Sequence, residues 1–267
     1  MIDRYLARLG LDRRPAPTLA TLADLHHRHL DTLPYENLAI MLGHPDPVDP
    51  AETLARVAAG GNAGYCFHHN GAFGLVLDEL GFAVTRHPAS MLGELGDGGA
   101  LDHLVLRVSG LPTEDHPDGS WWPDLGYGDG FRDPLPLRPG VFRQGPFSYR
   151  ITRLAPDGWT FRNDPRASSL GSRVGPAGIA QADVDAAHAR LSGPGGAFTR
   201  VLVVQRRDAT GAETLRGVRH VRVGARPFAR MLRDYGAWRA ALVSLGVSLA
   251  GVPDDELREL HRRQRTG

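Results

Sequence analysis

The chemistry that this sequence offers centres on one cysteine, one histidine and one aspartate. Cys66 is the single cysteine among 267 residues. His103 interrupts an apolar run from Leu101 to Val108, where a buried imidazole needs a hydrogen-bond partner. Asp124 ends an aromatic segment just before a glycine-rich turn. A thiolate nucleophile, an imidazole base and an orienting carboxylate together perform acyl transfer or hydrolysis.

Each of the three residues also has an interpretation without chemistry. A buried cysteine is often inert packing, and a histidine in a strand is often a hydrogen-bonded core residue. An aspartate before glycines commonly begins a turn. The combination favours catalysis, because adjacent strands can place His103 beside Asp124 while a helix carrying Cys66 packs across them.

Cys66 is predicted to lie at the first turn of a buried helix. The small residues over 58–64 form a turn-prone approach to it, and Gly81 suits the position after the last turn. Between them, apolar residues recur at helical spacing, at Phe73, Val76, Leu77 and Leu80. Unpaired N–H groups and the helix dipole at such a terminus favour the thiolate.

The residues before Cys66 are predicted to be helical. Thr18 can cap a helix that runs to about Leu30. A proline marks a break over 33–38, the proline-rich segment 46–50 predicts a loop, and 52–58 predicts a short helix.

From about residue 82 the pattern changes to strands. Runs with strand character cover 82–85, 101–108, 121–125 and 159–161, and alternation over 147–152 indicates a half-exposed strand. These segments predict a small antiparallel sheet or barrel.

The last third of the chain mixes both patterns. A strand over 201–205 and a turn over 208–211 precede one returning strand over about 213–223. Helical spacing begins at Phe228, and Asp254 is expected to cap a final arginine-rich helix.

Composition narrows the class of protein. The chain has 31 basic and 30 acidic residues, which indicates neither a nucleic-acid nor a membrane partner. One cysteine excludes an internal disulfide and a cysteine-based zinc site, so a cytoplasmic setting is expected. The histidines at 26–29 and 68–69 lack metal-ligand spacing, and we expect no metal.

Several sequence blocks, in order and in register, resemble the arylamine N-acetyltransferases over about residues 3 to 260. The blocks are Leu33-Pro34-Tyr35-Glu36-Asn37-Leu38, Gly64-Tyr65-Cys66-Phe67 with Asn70, Asp102-His103-Leu104, Asp124-Leu125-Gly126-Tyr127-Gly128, Pro134-Leu135-Pro136-Leu137, Gln205-Arg206-Arg207 and Leu215-Arg216-Gly217.

The resemblance implies an α+β fold in three parts with a cysteine-protease-like core. These are a helical bundle over 1–83, an antiparallel β-barrel over 84–192 and an α/β lid over 193–267. It also implies a monomer or a homodimer.

The resemblance implies a function as well. The family moves an acetyl group from acetyl-CoA, its co-substrate, to a cysteine and then to an arylamine or arylhydrazine, with no bound cofactor. The implied catalytic triad is Cys66, His103 and Asp124. The residues implied to bind substrate are Tyr35, Phe67, Tyr127 and Phe198.

Three departures from the family pattern bear on the donor. Asn62-Ala63-Gly64 stands where the family has Arg-Gly-Gly, so Glu36 needs another partner. His68 replaces a common glutamate, and the loop 191–196 has lost most hydroxyl groups. These losses predict weaker use of acetyl-CoA and tolerance of longer acyl chains.

Other functions remain open from the sequence. The same triad would serve an amide synthase that uses a larger acyl thioester, or a hydrolase, and a non-catalytic scaffold could retain the fold.

Overall fold

The computed structural model describes residues 1–93 and 101–266. The helices are α1 Ile2–Arg8, α2 Leu19–Thr32, α3 Leu38–Met41, α4 Pro50–Ala58, α5 Cys66–Glu79, α6 Gln181–Ser192, α7 Tyr235–Ser244 and α8 Asp254–Thr266, with a 3-10 helix over Ala197–Thr199. The strands are β1 Tyr35–Glu36, β2 Ala83–Leu92, β3 His103–Ser109, β4 Trp121–Trp122, β5 Leu135–Pro136, β6 Gly140–Gln144, β7 Phe147–Ala155, β8 Gly158–Arg162, β9 Gly171–Val174, β10 Val203–Arg207, β11 Gly211–Arg216, β12 Arg219–Gly224 and β13 Phe228–Met231.

The first helices form where the sequence predicts them. Thr18 caps α2, because its side-chain oxygen accepts the backbone N–H of Thr21 at 3.1 Å. Helix α4 begins at Pro50, two residues earlier than predicted, and Asp49 caps it. Proline is well tolerated at the first helical position, where its missing N–H would have no partner.

Helix α5 begins at Cys66 as predicted, and Gly81 follows its last turn with a φ of +88°. Almost every side of α5 is buried, as expected for a helix that lies between other elements. Its apolar residues join one core cluster with residues of α1, α2, α4 and β3. His68 Nδ1 accepts the backbone N–H of Tyr65 at 3.3 Å, so an imidazole closes the first turn.

The predicted middle sheet is an eight-stranded antiparallel sheet in the order β5-β4-β3-β2-β9-β8-β7-β6. In β7, buried and more exposed residues alternate from Phe147 to Ile151, as the sequence predicts. Strand β4 ends at Trp122, earlier than the strand predicted over 121–125. Pro123 follows, and proline cannot donate to a ladder. The chain therefore leaves the sheet just before Asp124.

A second sheet, in the order β1-β10-β11-β12-β13, joins one strand from the N-terminal part of the chain to four strands from the C-terminal part. Strand β1 pairs with β10 through Tyr35 and Gln205. The single strand predicted over about 213–223 is two strands, β11 and β12, because Gly217 with a φ of +58° turns the chain between them.

The C-terminal helices pack on this second sheet. Residues Phe228–Met231 form strand β13, so the helix predicted from Phe228 starts only at Tyr235, where Asp234 accepts the N–H of Ala237. Asp254 is the first residue of α8 and not its cap. Trp238 and Leu242 of α7 share a core cluster with residues of α8 and β10.

Together these elements confirm the predicted α+β class. The part boundaries after residues 83 and 192 stay predictions. Among the helices of residues 1–93 and 101–266, none is both long and apolar enough to cross a bilayer.

Candidate active site

The structure brings together the three residues that were predicted to be catalytic. Cys66 begins α5, His103 begins β3 and Asp124 lies in the loop after β4, and all three are buried. His103 Nε2–H donates to Asp124 Oδ2 at 2.9 Å. The imidazole also acts on the pKa of the Cys66 thiol, and Nδ1 is the ring nitrogen that the bond to Asp124 leaves open. The Cys66 Sγ lies 3.6 Å from the carbonyl oxygen of Asp102.

The surroundings of His103 fix its charge. Burial alone lowers the pKa of its imidazole, but the charge and hydrogen bond of Asp124, together with Cys66, raise that pKa to about 10. His103 is therefore basic enough to take the proton of the Cys66 thiol, which leaves a thiolate beside an imidazolium. The charge of that imidazolium then acts directly on the neighbouring sulfur.

The pKa of the Cys66 thiol depends on the neighbouring His103. Burial raises the pKa of Cys66, whereas the hydrogen bond and the charge of His103 lower it. The net direction is upward, opposite to the one predicted from the helix terminus. A thiolate at this position therefore requires a base such as His103 to take the proton, because the helix terminus alone does not lower the pKa of the thiol.

The carboxylate of Asp124 accepts four hydrogen bonds. Its Oδ1 accepts from Asn70 Nδ2 at 2.7 Å and from the Gly126 N–H at 2.9 Å. Its Oδ2 accepts from His103 and, at 3.0 Å, from Trp122 Nε1. Such a set of donors holds the carboxylate in one orientation.

Asn70 links the nucleophile helix to the other two residues. Besides Asp124, its Nδ2 bonds the Leu104 carbonyl at 2.7 Å, and its Oδ1 accepts the Leu125 N–H at 2.9 Å. In the sequence, Asn70 stands out only as part of a motif. Its spacing of four residues from Cys66, one helical turn, is the signal that could have identified it.

Gly126 permits the close approach of the three elements. A Cβ atom at this position would lie 2.7 Å from Cys66 Cβ and 2.9 Å from His103 Cε1. Both distances are shorter than real Cβ contacts. The Asp124 loop can therefore pass over the thiol and the imidazole only with glycine here.

A narrow cavity of about 90 Å³ opens beside Cys66 and His103. Three of the four predicted substrate-binding residues line it, namely Tyr35, Tyr127 and Phe198. The ring of Tyr127 lies 4.8 Å from that of His103, and its hydroxyl donates to Ser172. Sequence reasoning missed another part of the lining, to which strands β10 and β11 contribute Val203, Gln205, Thr214 and Arg216.

Phe67 does not line this cavity. Its side chain is fully buried in a core cluster and packs edge-on against Tyr65 at 5.3 Å. The residue after Cys66 points away from the thiol, because successive residues of a helix face different directions. The expectation that Phe67 contacts substrate is therefore corrected.

The positions that depart from the family pattern also lie away from the cavity. The Asn62 side chain exchanges two hydrogen bonds with the backbone of Ser248, at 2.7 and 2.9 Å. Glu36 accepts the Leu38 N–H at 2.5 Å, and burial raises its pKa to about 7. Neither Asn62 nor the loop 193–196 is part of the cavity wall. The weaker use of acetyl-CoA and the tolerance of longer acyl chains stay predictions.

The described part of the chain contains no group of three or more His, Cys, Asp or Glu residues arranged to hold a metal ion. Two of the histidines considered from sequence bond to each other, since His29 Nε2 lies 2.7 Å from His69 Nδ1.

Comparison with known proteins identifies the family. A family model for N-acetyltransferases matches residues 18–171, the segment that contains Cys66, His103 and Asp124. An arylamine N-acetyltransferase of Mycolicibacterium smegmatis is 38% identical over 159 residues. The chain belongs to the arylamine N-acetyltransferase family. That match covers 57% of this chain and 56% of the relative, so just over half of the relative's length is matched.

Solved structures of the family have the same fold over nearly the whole chain. The M. smegmatis arylamine N-acetyltransferase structure superimposes with a TM-score of 0.83 at 27% identity, covering 99% of this chain and 97% of that one. The Mycobacterium marinum enzyme in complex with CoA superimposes with a TM-score of 0.85 at 24% identity, covering 100% and 99%.

Proposed function

We propose that this protein transfers an acetyl group from acetyl-CoA to the nitrogen of an arylamine or arylhydrazine through an acetyl-Cys66 intermediate. The observation that carries the proposal is the buried Cys66–His103–Asp124 array at the side of an aromatic-lined cavity. The family assignment supports the reaction class, and the CoA complex of the M. marinum relative supports the donor.

In the first half-reaction, the proton of the Cys66 thiol moves to His103. The thiolate sulfur attacks the thioester carbonyl, and the bond between that carbonyl carbon and the CoA sulfur then breaks. The imidazolium returns its proton to the departing CoA thiolate, which leaves as a thiol. Backbone N–H groups at the start of α5 have no partner within the helix, and they are the donors that would stabilise the developing oxyanion.

In the second half-reaction, the amine nitrogen attacks the acetyl carbon on Cys66. His103, now neutral, removes the proton from that nitrogen, and the Cys66 sulfur leaves as a thiolate. Asp124 keeps Nε2 of His103 protonated, so Nδ1 faces the reacting atoms throughout. The two steps share one site, which predicts ping-pong kinetics.

The cavity walls suit the proposed acceptor. Tyr35, Tyr127 and Phe198 present rings and apolar surface, and a neutral aniline ring can enter without losing the hydration of a charge.

Steady-state kinetics with acetyl-CoA and an aniline test the proposal. We expect parallel double-reciprocal lines as the aniline concentration is changed. Loading only from a bulky acyl thioester would indicate the amide synthase. A rate of CoA release that does not change when amine is added would indicate the hydrolase. No release of CoA at all would indicate a scaffold.

A further inference from the structure

The loop that carries Asp124 is held by side chains and not by strand pairing. Three consecutive backbone N–H groups each find a side-chain acceptor. The Asp124 N–H donates to His26 Nε2 at 3.0 Å, the Leu125 N–H to Asn70 Oδ1 and the Gly126 N–H to Asp124 Oδ1. The backbone conformation at Asp124 sets the direction of its carboxylate. His26 is the acceptor that comes from outside both the loop and α5.

Helix α2 holds the His26 ring in a fixed place. The side chain is fully buried, its ring stacks on Phe131 with a centroid distance of 6.2 Å and an interplanar angle of 5°, and it meets Phe73 edge-on at 6.3 Å. A ring clamped between two aromatic residues cannot turn without opening the core. Its two nitrogens therefore keep their partners.

The hydrogen bonds of His26 determine its tautomer. Nδ1 lies 2.6 Å from the carbonyl oxygen of Arg132, and a carbonyl can only accept, so Nδ1 carries the proton. Nε2 is then an acceptor, as the Asp124 N–H requires. Burial lowers the pKa of His26 to about 4 against the weaker opposing effects of Arg132 and Asp124, and the nearby His27 lowers it further. The ring is neutral at neutral pH.

We propose that His26 is a positioning residue of the active site, which orients the Asp124 carboxylate towards His103 by accepting the Asp124 backbone N–H. The inference rests on the proposed function of the Cys66–His103–Asp124 array. It adds to that array a residue from α2 that touches neither substrate nor the reacting atoms. It affects His103 only by positioning Asp124.

Two substitutions separate this role from simple core packing. In His26→Gln, the amide oxygen reaches the place of Nε2 and can accept the Asp124 N–H. In His26→Asn, the shorter amide reaches only the place of Nδ1 and the Arg132 carbonyl. We expect kcat/KM of acetyl transfer to stay within a few-fold of the parent in His26→Gln and to fall about 10- to 100-fold in His26→Asn.

The matched control is His27→Gln. This neighbour is partly exposed, pairs with Asp133 and does not touch Asp124, so its replacement should leave the rate unchanged. Rates are taken at 10 °C and normalised to folded protein, so that a less stable variant is still measured. Equal losses in His26→Gln and His26→Asn would overturn the proposal.

The low-field NMR resonance of the His103 Nε2 proton gives a readout that needs no acetyl transfer. It should move in His26→Asn and remain near its parent position in His26→Gln. An unchanged resonance in both variants would overturn the positioning role even if the proposed reaction holds. If the parent protein is inactive but its His103 resonance still moves in His26→Asn, the positioning role is retained and the proposed function is overturned.

Discussion

At the scale of single residues, the site is a buried row of a thiol, an imidazole and a carboxylate. Asp124 raises the pKa of His103 to about 10, and His103 in turn opposes the upward effect of burial on the pKa of Cys66. Removing Asp124 would lower the pKa of His103, and removing His103 would raise the pKa of Cys66 further. A thiolate therefore depends on proton transfer to His103, because burial favours the neutral thiol of Cys66.

The Asp124→Asn substitution tests the carboxylate. The amide NH₂ would face donors from His103, Trp122, Asn70 or Gly126, and an amide that donates to His103 favours the wrong tautomer. We expect kcat to fall by about 10³- to 10⁴-fold, as for triad carboxylates elsewhere. Acetyl transfer is measured on folded protein.

The matched control for this substitution is Asp133→Asn. Asp133 is more than half exposed and pairs with His27, so its loss should change kcat little. Near-parental turnover in folded Asp124→Asn protein would show that another group orients His103.

Sequence alone could predict the nucleophile, base and carboxylate because their residue types are chemically distinctive. It could not predict the roles of Trp122 and His26, since each acts through a hydrogen bond that only the folded backbone creates. Phe67 was assigned wrongly because adjacency to Cys66 in sequence does not place a side chain on the same face of a helix.

At the scale of elements, the site forms where α5, the start of β3 and the loop after β4 meet. Strand β4 stops at Trp122, which frees Asp124 to turn towards His103. Gly126 then lets the loop pass within van der Waals contact of the start of α5. An added side-chain atom at this crossing should therefore reduce catalysis more than it reduces the stability of the fold.

Gly126→Ala is predicted to separate the three elements. The added methyl would lie less than 3 Å from Cys66 and His103, so the loop or the imidazole must shift. We expect at least a 100-fold loss of kcat/KM, since misplacement by about 1 Å can cost that much. Thermal unfolding and acetyl transfer are measured together.

Gly71→Ala is the paired control. Gly71 lies on α5, and a Cβ there would meet only ordinary contacts with Pro50 and Val48. Alanine is favoured over glycine within a helix, so this variant should be at least as stable and as active as the parent. Full activity in Gly126→Ala would show that the crossing tolerates a side chain.

The sequence predicted α5 and the antiparallel arrangement well because their apolar spacing repeats over many residues. It merged β11 and β12 into one strand, since the turn at Gly217 is short and lies between similar alternating residues. It also extended the helix back to Phe228, where apolar spacing alone cannot distinguish a strand from a helix.

At the scale of the whole molecule, the pH dependence of stability is set by buried ionisable groups whose pKa values are shifted by burial. Burial lowers the pKa of His26 and His69 to about 4 and that of His68 to about 3. Burial also raises the pKa of Glu36 to about 7 and that of Asp129 to about 6. The histidines favour folding at higher pH, and the two carboxyl groups oppose that trend.

Stability is predicted to pass through a maximum near neutral pH. Below pH 6.5 the unfolded chain binds more protons on these three histidines than the folded one, so the free energy of unfolding falls by about 1.4 kcal/mol per pH unit for each. The histidines outnumber the two carboxyl groups, so the net effect of acid is destabilising. Urea unfolding from pH 4.5 to 9.5 measures this.

The alkaline side of the same profile tests His103. Its folded-state pKa is raised to about 10, so its contribution is fully present below pH 6.5 and is lost as the pH rises towards 10. His103→Gln should remove this alkaline decline. A parent protein whose urea midpoint stays constant from pH 7 to 9.5 would contradict a charged, paired His103.

The central claim is that Cys66 carries the acetyl group, and intact mass spectrometry tests it most directly. The protein is mixed with acetyl-CoA without an amine, and the mass is read before and after an aniline is added. The account predicts one acetyl group per chain on Cys66, discharged by the aniline, with no gain of mass in Cys66→Ala. No adduct on the parent protein, or an equal adduct on Cys66→Ala, would contradict it.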